Sequence, residues 1–249
     1  MILPFIEMII TTRCNLKCDQ CSNLIPEYKK AYDVSAENIV KCIDALADAV
    51  DIIENFKIHG GEPLLCENFS VALQHTAFVD KIKHIIVPTN GSYVPREQYL
   101  RELAQYREKT TLYISNYRTC ESNHKTLINL CEYYGVKYVL SKQKMWYSFG
   151  EVMDYHYSEQ QLINLFDLCE MKRFPSYFNG KIYPCSRIAN AVVLKMYPET
   201  EEETFDLLHT ESKYEKRQKL RKFFEKNSCS YCRYCTMDNE RVIESGRQS

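Results

Sequence analysis

Apolar and polar residues alternate in blocks along the first 140 positions of the chain. Short apolar runs predict β-strands near 5–11, 53–59, 83–88, 111–115 and 136–140. Between them, apolar residues at helical spacing predict helices near 35–50, 67–78, 95–107 and 122–134. Strands that alternate with helices are typical of a parallel sheet with right-handed crossovers, so the predicted fold class is α/β.

Length and charge narrow the class of protein. With 249 residues, the chain is long enough for one large domain or one and a half. Its net charge of -1 produces no positive electrostatic field that would attract nucleic acid. The first twelve residues lack a basic start, and Pro4 and Glu7 interrupt their apolar run. No apolar stretch approaches the roughly 20 residues that span a membrane. We therefore predict a cytoplasmic protein with reduced cysteines.

Three cysteines follow the first apolar run at short spacing: Cys14, Cys18 and Cys21, in the sequence T-T-R-C-N-L-K-C-D-Q-C. Three thiolates can hold three irons of a cubane and leave the fourth open, which is what a cluster needs in order to bind and reduce another molecule. The alternative is a structural zinc site, but zinc usually takes four ligands and no fourth cysteine or histidine lies nearby. This stretch, the first cysteine loop, predicts a reactive iron–sulfur site.

Polar and glycine-rich segments follow the next three predicted strands: H-G-G-E-P at 59–63, T-N-G at 89–91 and S-N at 115–116. Glycines at strand ends let the backbone approach a ligand closely. By themselves, G-G-E-P is also an ordinary tight turn and S-N an ordinary polar strand end. Motifs at the ends of successive parallel strands point to one face, which is where such barrels carry their sites.

In this order, the motifs resemble the radical S-adenosylmethionine (SAM) superfamily. There, the three-cysteine loop binds a 4Fe-4S cluster whose open iron chelates SAM, and the G-G-E-P segment meets the methionine amino group. The resemblance implies a partial (β/α)6 TIM-like barrel. It also implies cofactor-binding residues, with the last two beside the SAM ribose: Gly60, Gly61, Glu62, Pro63, Thr89, Asn90, Ser115 and Asn116. Gln20 departs from the pattern, because that position is commonly aromatic in the superfamily.

Five more cysteines lie in the last third of the chain, and we call them the second cysteine group: Cys169, Cys185, Cys229, Cys232 and Cys235. Before Cys185, the pair Asn179-Gly180 stands between two short alternating stretches. This pattern predicts a β-hairpin that aims Cys185 at a site shared with Cys169. A zinc site with four cysteine ligands is the alternative that the spacing permits. Residues 213–226 predict an amphipathic helix leading into the last cysteines.

The spacing of this group resembles the twitch domain, the shorter relative of the SPASM domain, which binds a second 4Fe-4S cluster. The resemblance implies four ligands, Cys169, Cys185, Cys232 and Cys235. Cys229 then either replaces one of the last pair or is a spare thiol. We accordingly predict a radical SAM partial barrel over residues 1–155 and a twitch-type auxiliary cluster domain over residues 156–249.

Nearly the whole chain is similar to the 2-deoxy-scyllo-inosamine dehydrogenase family of the butirosin pathway, including the shared G-E-P-L-L-C at 61–66. In that family, a 5'-deoxyadenosyl radical removes hydrogen from a carbinol carbon and the auxiliary cluster accepts an electron, which gives a ketone. The resemblance implies an oxidoreductase acting on a small polar substrate of the carbohydrate, cyclitol or nucleotide-sugar type. It also implies a flavodoxin- or ferredoxin-type electron donor.

Two departures from that family bear on the substrate. Residues 146–150 contain no arginine where the family carries its proposed base, so the catalytic base is unassigned. Arg187 stands where the family has an acid near its aminocyclitol. An arginine favours a carboxylate or phosphate over an ammonium, which predicts an anionic substrate such as a sugar phosphate or nucleotide sugar. The alternative is a solvent-exposed Arg187 with no ligand role.

Three other functions stay open. A radical SAM epimerase needs a cysteine that returns hydrogen to the substrate, and Cys66 and Cys120 are candidates because the clusters do not need them. Modification of a ribosomal peptide is the second, although a chain that begins at its first strand leaves no room for the N-terminal peptide-binding domain of many such relatives. Outside the enzymes, the third is a metal-bearing scaffold protein.

Overall fold

The computed structural model describes residues 1–117, 120–142, 145–210, 212–236 and 238–248. Its strands are β1 (Ile2–Thr11), β2 (Ile52–Gly60), β3 (Ile82–Thr89), β4 (Thr110–Ile114), β5 (Tyr138–Leu140), β6 (Met145–Ser148), β7 (Ser176–Phe178), β8 (Lys181–Tyr183), β9 (Phe205–Asp206) and β10 (Asp238–Glu244). Its helices are α1 (Ala36–Ala49), α2 (Phe69–Phe78), α3 (Glu97–Gln105), α4 (Glu121–Tyr134), α5 (Glu159–Leu168), α6 (Ser186–Val193) and α7 (Lys213–Phe224). Among the described residues, no helix has the length and hydrophobicity that crossing a membrane requires.

An eight-stranded sheet organises the chain, in the order β5-β4-β3-β2-β1-β7-β8-β9. The strands β1 to β5 are parallel, β7 joins parallel to β1, and β8 and β9 are antiparallel. The helices α1 to α4 connect β1 to β5 in turn, so the predicted α/β class with a mostly parallel sheet is confirmed. The (β/α)6 barrel and the separate twitch domain stay predictions. Because β7 bonds to β1, the sheet continues across the predicted boundary at residue 155.

The two faces of the parallel sheet differ in chemistry. On one face, Ile6 and Ile10 of β1 and Phe56 and Ile58 of β2 are buried and join the apolar core formed with α1 to α4. The register places Glu7 beside Lys57 and Asn55 beside His84 on the opposite face. We call this side the polar face; it carries Glu7, Asn55, Lys57, His59, His84, Thr111 and Ser176. A parallel sheet with helices on both sides would instead be apolar at nearly every position.

The predicted hairpin is present as β7 and β8. Asn179 and Gly180 connect the two strands, with φ angles of 49° and 84°. Positive φ at both central residues is what the favoured two-residue hairpin turn requires, and asparagine followed by glycine adopts it at the lowest steric cost. The hairpin delivers the chain to Cys185, which caps the start of α6. The predicted amphipathic helix near residues 213–226 is present as α7, with Leu220 buried.

A second, two-stranded sheet pairs β6 with β10 in antiparallel register. Gln20 of the first cysteine loop connects to this sheet, because its side-chain oxygen accepts from the Ser148 hydroxyl and the Phe149 N–H, both at 3.3 Å. Gln20 has a φ of 55°, in the left-handed region that glycine favours. The β6–β10 sheet therefore lies against the first cysteine loop.

Candidate functional site

The first cysteine loop begins where β1 ends, and its three cysteines are half-buried free thiols. Nitrogen donors face all three sulfurs, and those at the Cys21 sulfur are the backbone N–H groups of Asn23, Leu24 and Ile25. The Leu16 N–H donates to the Cys14 sulfur at 3.4 Å, the Asn90 amide lies 3.8 Å from the same sulfur, and the Gln248 amide donates to the Cys18 sulfur at 3.4 Å. Such donors stabilise negative charge on cysteine sulfur, which is how proteins adjust an iron–sulfur cluster.

Burial raises the pKa of Cys14 to about 12 and that of Cys18 to about 11. Metal binding therefore has to displace protons from these thiols. Three free thiols with N–H donors at their sulfurs are a donor set that fits an iron–sulfur cluster. Among the described residues, no three His, Cys, Asp or Glu side chains converge as the ligands of a single metal ion would.

The two glycines of the H-G-G-E-P segment pack directly on the first cysteine loop. The Gly61 N–H donates to the Thr11 carbonyl at 3.0 Å, and the Glu62 N–H donates to the Arg13 carbonyl at 2.7 Å. A Cβ at Gly60 would lie 2.5 Å from the Thr11 carbonyl oxygen, and one at Gly61 would lie 2.3 Å from that of Arg13. The glycines are therefore required for the contact between two backbone segments.

Glu62 connects the H-G-G-E-P and T-N-G segments from a fully buried position. Its carboxylate accepts from the Asn90 N–H at 2.7 Å and from the Leu64 N–H at 3.3 Å. Burial raises the pKa of Glu62 to about 7, against the lowering effect of these N–H donors. The Asn90 side chain in turn donates to Asn15 at 3.0 Å. The structure thus brings Gly60, Gly61, Glu62, Pro63, Thr89 and Asn90 to the first cysteine loop.

Ser115 lies at the end of β4, where its N–H donates to the Thr89 carbonyl at 2.8 Å. Ser115 and the half-buried Asn116 therefore follow the same edge of the sheet as the T-N-G segment. The two candidate hydrogen donors differ in position. Cys66 is fully buried and its thiol donates to the Ile10 carbonyl at 3.6 Å, whereas Cys120 is buried at the start of α4 and close enough to Cys18 to raise its pKa.

The second cysteine group comes together from three parts of the chain. Cys169 ends α5, Cys185 precedes α6, and the other three cysteines flank or lie within a 3-10 turn at Ser230–Tyr234. Burial raises the pKa of Cys185, and the neighbouring thiols of Cys169, Cys229 and Cys235 raise it further. Cys229 hydrogen-bonds Cys232. All five thiols thus form one group, and the choice of four ligands among them stays a prediction.

Arg187 is buried, with 4% of its surface exposed, so the solvent-exposed alternative is wrong. The reason is that α6 is buried along seven consecutive residues, Ser186 to Val192. The Arg187 guanidinium donates to the Gly150 carbonyl at 3.2 Å and lies 5.4 Å from the centre of the Phe149 ring. Its Nε has no hydrogen-bond partner among the described residues.

The position of Arg187 links the two groups of cysteines. Burial raises the pKa of Cys21 in the first loop and of Cys235 in the second group, and the Arg187 charge opposes the rise at both. Within the described part of the chain, Arg187 takes part in no ion pair, although it also lies beside the Tyr197 hydroxyl. A buried cation therefore lies between the two groups, next to the segment 146–150 in which the sequence contains no arginine.

The polar face adds residues that sequence reasoning missed. Buried Glu7 accepts from the Ser176 hydroxyl and from the Lys57 ammonium, the latter at 3.0 Å. Burial raises the pKa of Glu7, but Lys57, His59 and Ser176 together lower it below its usual value. The signal was present in β2, where Asn55, Lys57 and His59 alternate with apolar residues. Such alternation indicates a strand with one polar face.

His59 connects this face to the first cysteine loop through Asn23. The Asn23 amide nitrogen donates to the Gly60 carbonyl and contacts His59 Nε2, both at 2.8 Å. Because the carbonyl fixes the amide orientation, Nε2 is the acceptor and Nδ1 carries the proton of the neutral ring. Burial, reinforced by the Lys57 charge, lowers the pKa of His59 to about 3. His59 Nδ1 and Asn23 Oδ1 are buried without partners among the described residues.

Comparison with known proteins finds a family similarity in the first part of the chain. Residues 8–115 match the family model of the radical SAM superfamily. The GTP 3',8-cyclase of Aquifex aeolicus (strain VF5) is 29% identical over 144 residues, which are 54% of this chain and 42% of that relative. The chain thus matches less than half the length of this curated relative.

Two solved structures share the fold. One is native anSMEcpe with bound AdoMet and Cp18Cys peptide, at a TM-score of 0.56 and 15% identity, with 94% of this chain and 88% of that chain covered. The other is BtrN in complex with AdoMet and 2-DOIA, at a TM-score of 0.54 and 16% identity, with 99% and 97% covered. At 15% and 16% identity these two structures show a shared fold, and the similarity to the radical SAM superfamily rests on the match over residues 8–115.

Proposed function

We propose that this protein is a radical SAM oxidoreductase that converts a secondary alcohol of a small anionic substrate, such as a sugar phosphate or nucleotide sugar, into a ketone. The observation that carries the proposal is the placement of Arg187 between the first cysteine loop and the second cysteine group. With a cluster bound at each group of cysteines, this arrangement would provide an anion-binding group and an electron acceptor next to one reaction centre.

The chain provides residues for each cofactor. Cys14, Cys18 and Cys21 would hold the first cluster, and the H-G-G-E-P, T-N-G and S-N segments would receive SAM. Four thiols of the second group, Cys169, Cys185, Cys232 and Cys235, would hold the second cluster. When bound, SAM and the first cluster supply the abstraction of hydrogen, after reduction by a flavodoxin- or ferredoxin-type donor. In the proposed reaction the carbinol would lose a hydrogen atom, a proton and an electron, with 5'-deoxyadenosine, solvent and the second cluster as the respective acceptors.

Arg187 supports the anionic character of the substrate. Burying a guanidinium is costly unless a negative group compensates its charge. No carboxylate whose side chain the structure describes pairs with Arg187, and we infer that bound clusters, the substrate or both compensate its charge. The unpartnered Nε leaves an N–H for an oxygen ligand. The nucleotide substrate named for the GTP 3',8-cyclase relatives is a further reason to include nucleotides among the test compounds.

Epimerisation receives less support from the geometry. The Cys66 thiol bonds to the Ile10 carbonyl on the helix-covered side of β1, opposite the polar face. A hydrogen donor has to reach the substrate radical, and Cys66 is buried in the apolar core instead. Cys120 stays as the candidate donor of that alternative, because it lies near Cys18.

The test uses full-length protein reconstituted anaerobically with iron and sulfide, then supplied with SAM and dithionite. The candidate compounds are UDP-glucose, glucose 6-phosphate and GTP, with an aminocyclitol as the cationic comparison. We expect an anionic alcohol to increase 5'-deoxyadenosine formation, with deuterium from its carbinol carbon recovered in 5'-deoxyadenosine and a product lighter by two hydrogens. Solvent deuterium at that carbon without net oxidation would select epimerisation. Absence of SAM cleavage would favour the scaffold protein.

Arg187→Ala separates the anion-binding role from a general effect on the fold. We expect this variant to lose turnover of the anionic compound by at least tenfold, as expected for a lost charge-assisted contact of about 1.5–3 kcal/mol. The matched control is Arg173→Ala, because Arg173 is an exposed arginine shortly before β7. Unchanged turnover by Arg187→Ala would contradict the proposed substrate class but not the radical SAM chemistry.

A further inference from the structure

The segment 244–248 begins at the last residue of β10 and lies directly on the first cysteine loop, although about 230 residues separate the two in sequence. The Asp19 N–H donates to the Arg247 carbonyl at 2.6 Å. The Lys17 N–H donates to the Gln248 side-chain oxygen at 2.7 Å. Cys18 and Gln248 also form an antiparallel β-bridge. The loop that carries the first three cysteines thus has a non-local backbone partner.

The contacts of the Gln248 side chain fix which end of its amide faces the sulfur. Its oxygen has to accept the Lys17 N–H, which can only donate. Its nitrogen therefore points the other way, where it donates to the Gly246 carbonyl at 2.6 Å and to the Cys18 sulfur at 3.4 Å. The hydrogen bond to sulfur follows from this geometry rather than from an arbitrary choice of amide orientation.

The protein holds the 244–248 segment in a specific position. Gly246 is buried with a φ of 69°, and a Cβ there would lie 2.4 Å from the Tyr117 ring. Only glycine fits this position without displacement, because both the backbone angle and the ring exclude a side chain. Ser245 is also buried, at 2% exposure. Immediately before, Ile243 of β10 pairs with Trp146 of β6, so the segment continues a hydrogen-bonded sheet.

We propose that Gln248 belongs to the binding site of the first 4Fe-4S cluster and is a positioning residue for it. Its amide N–H donates to the sulfur of Cys18 and stabilises the more negative, reduced form of the cluster. Hydrogen bonds to cysteine sulfur and exclusion of solvent both set the reduction potential of such clusters. The 244–248 segment at the same time shields the Cys18 side of the loop from solvent. This inference depends only on a cluster at the first cysteine loop and not on the proposed substrate or reaction.

The test compares variants of the full-length reconstituted protein. Gln248→Leu removes all three side-chain hydrogen bonds, whereas Gln248→Glu keeps an acceptor for Lys17 and removes the N–H donor. Gly246→Ala displaces the segment without changing Gln248. The matched control is Gln160→Leu, because Gln160 is exposed on α5 and bonds only a neighbouring side chain, Asn164, among the contacts found. Thermal unfolding of each variant shows whether the fold is kept.

Two measurements report on the first cluster without requiring a substrate. An EPR-monitored redox titration gives the midpoint potential of the signal that changes on SAM addition. A chelator assay gives the rate at which iron is lost. We expect Gln248→Leu and Gln248→Glu to move the potential to more negative values. We also expect Gln248→Leu and Gly246→Ala to lose iron several-fold faster than Gln160→Leu, as for lost outer contacts to a metal ligand.

Some outcomes would overturn the inference. A potential and an iron-loss rate that match the control in both Gln248→Leu and Gly246→Ala would show that the segment has no role at the cluster. A wild-type protein that binds no iron at the first cysteine loop would overturn this inference and the proposed function together. Failure to find an oxidised product, with altered potentials in the variants, would leave this inference standing and contradict only the proposed reaction.

Discussion

Replacement of Gly61 by alanine should damage the first cysteine loop more than it damages the fold as a whole. The added Cβ would lie 2.3 Å from the Arg13 carbonyl oxygen, 2.9 Å from the Arg13 carbonyl carbon and 3.0 Å from the Cys14 Cβ. Carbon atoms in ordinary contact are about 3.5–4.0 Å apart, so the two segments have to separate by roughly 1 Å. The atoms involved are mostly backbone, which cannot rotate away. The substitution therefore displaces the Arg13 carbonyl and, with it, the adjacent Cys14.

Overpacking of this kind costs about 1–3 kcal/mol. If this strain is present only in the cluster-bound conformation of the first cysteine loop, the affinity for the cluster falls by about five-fold to one-hundred-fold. Gly135→Ala is the matched control, because Gly135 ends α4 with a φ of 74° and its nearest neighbour is the flexible Arg107 side chain at 3.4 Å. Its left-handed backbone costs about 1–2 kcal/mol for a non-glycine residue without moving any cysteine.

The assay is iron and sulfide content after anaerobic reconstitution, measured beside the thermal unfolding midpoint. Both variants should unfold at lower temperature than the wild type, but only Gly61→Ala should retain less iron. Equal iron content in the two variants, at similar stability, would refute the conclusion that the glycine is needed for contact with the first cysteine loop. A loss confined to SAM binding, at full iron content, would assign Gly61 to the cofactor rather than to the loop.

Three further predictions concern the cysteines and the polar face. Replacement of all three cysteines of the first loop by alanine should lower the iron content from about eight to about four per chain. A wild-type content of about four that falls to none in the variant would instead mean that the second cysteine group binds zinc or remains as free thiols. Lys57→Met leaves Glu7 as a buried unpaired carboxylate and should cost about 3–5 kcal/mol in denaturant unfolding, against less than about 0.5 kcal/mol for exposed Lys41→Met. Burial lowers the pKa of His59 to about 3, whereas the ordinary value of 6.5 applies in the unfolded chain. The unfolded chain therefore binds an extra proton between these two values, so the His59 contribution to the free energy of unfolding should be complete above pH 6.5 and decrease as the pH falls toward 3. His59→Gln should flatten this pH dependence, and an unchanged profile would contradict the assignment.

Much of the sheet could be predicted from local pattern because its strands and helices are long and periodic. The boundaries of β1 to β4 and of α1 to α4 lie within a few residues of those expected from the sequence. The cysteine, glycine and hairpin motifs were equally local, and the structure brings them together where parallel strands end. What these signals share is that each depends on residues close together in sequence, for which spacing alone carries the information.

The missed features depend instead on distant pairings. The stretch 238–244 reads D-N-E-R-V-I-E, which is too charged to predict a strand, yet β10 forms by pairing with β6 about 90 residues earlier. The burial of Arg187 was equally invisible, because it arises from the packing of α6 and not from the neighbours of the arginine in sequence. Pairing partners and burial of this kind follow from topology, which a local pattern does not contain.

Gln20 shows how one departure from a motif connects to these distant pairings. An amide with its oxygen facing Ser148 and Phe149 fixes the end of β6 against the first cysteine loop, which an aromatic ring would not do through hydrogen bonds. Its left-handed backbone costs about 1–2 kcal/mol, which two hydrogen bonds of about 0.5–1.5 kcal/mol each are sufficient to offset. Directly after the same strand comes Phe149, whose ring centre lies 5.4 Å from the Arg187 guanidinium. A residue inside the cysteine motif therefore helps to position the buried cation between the two cysteine groups, and the polar departure at Gln20 and the unusual burial of Arg187 belong to one arrangement.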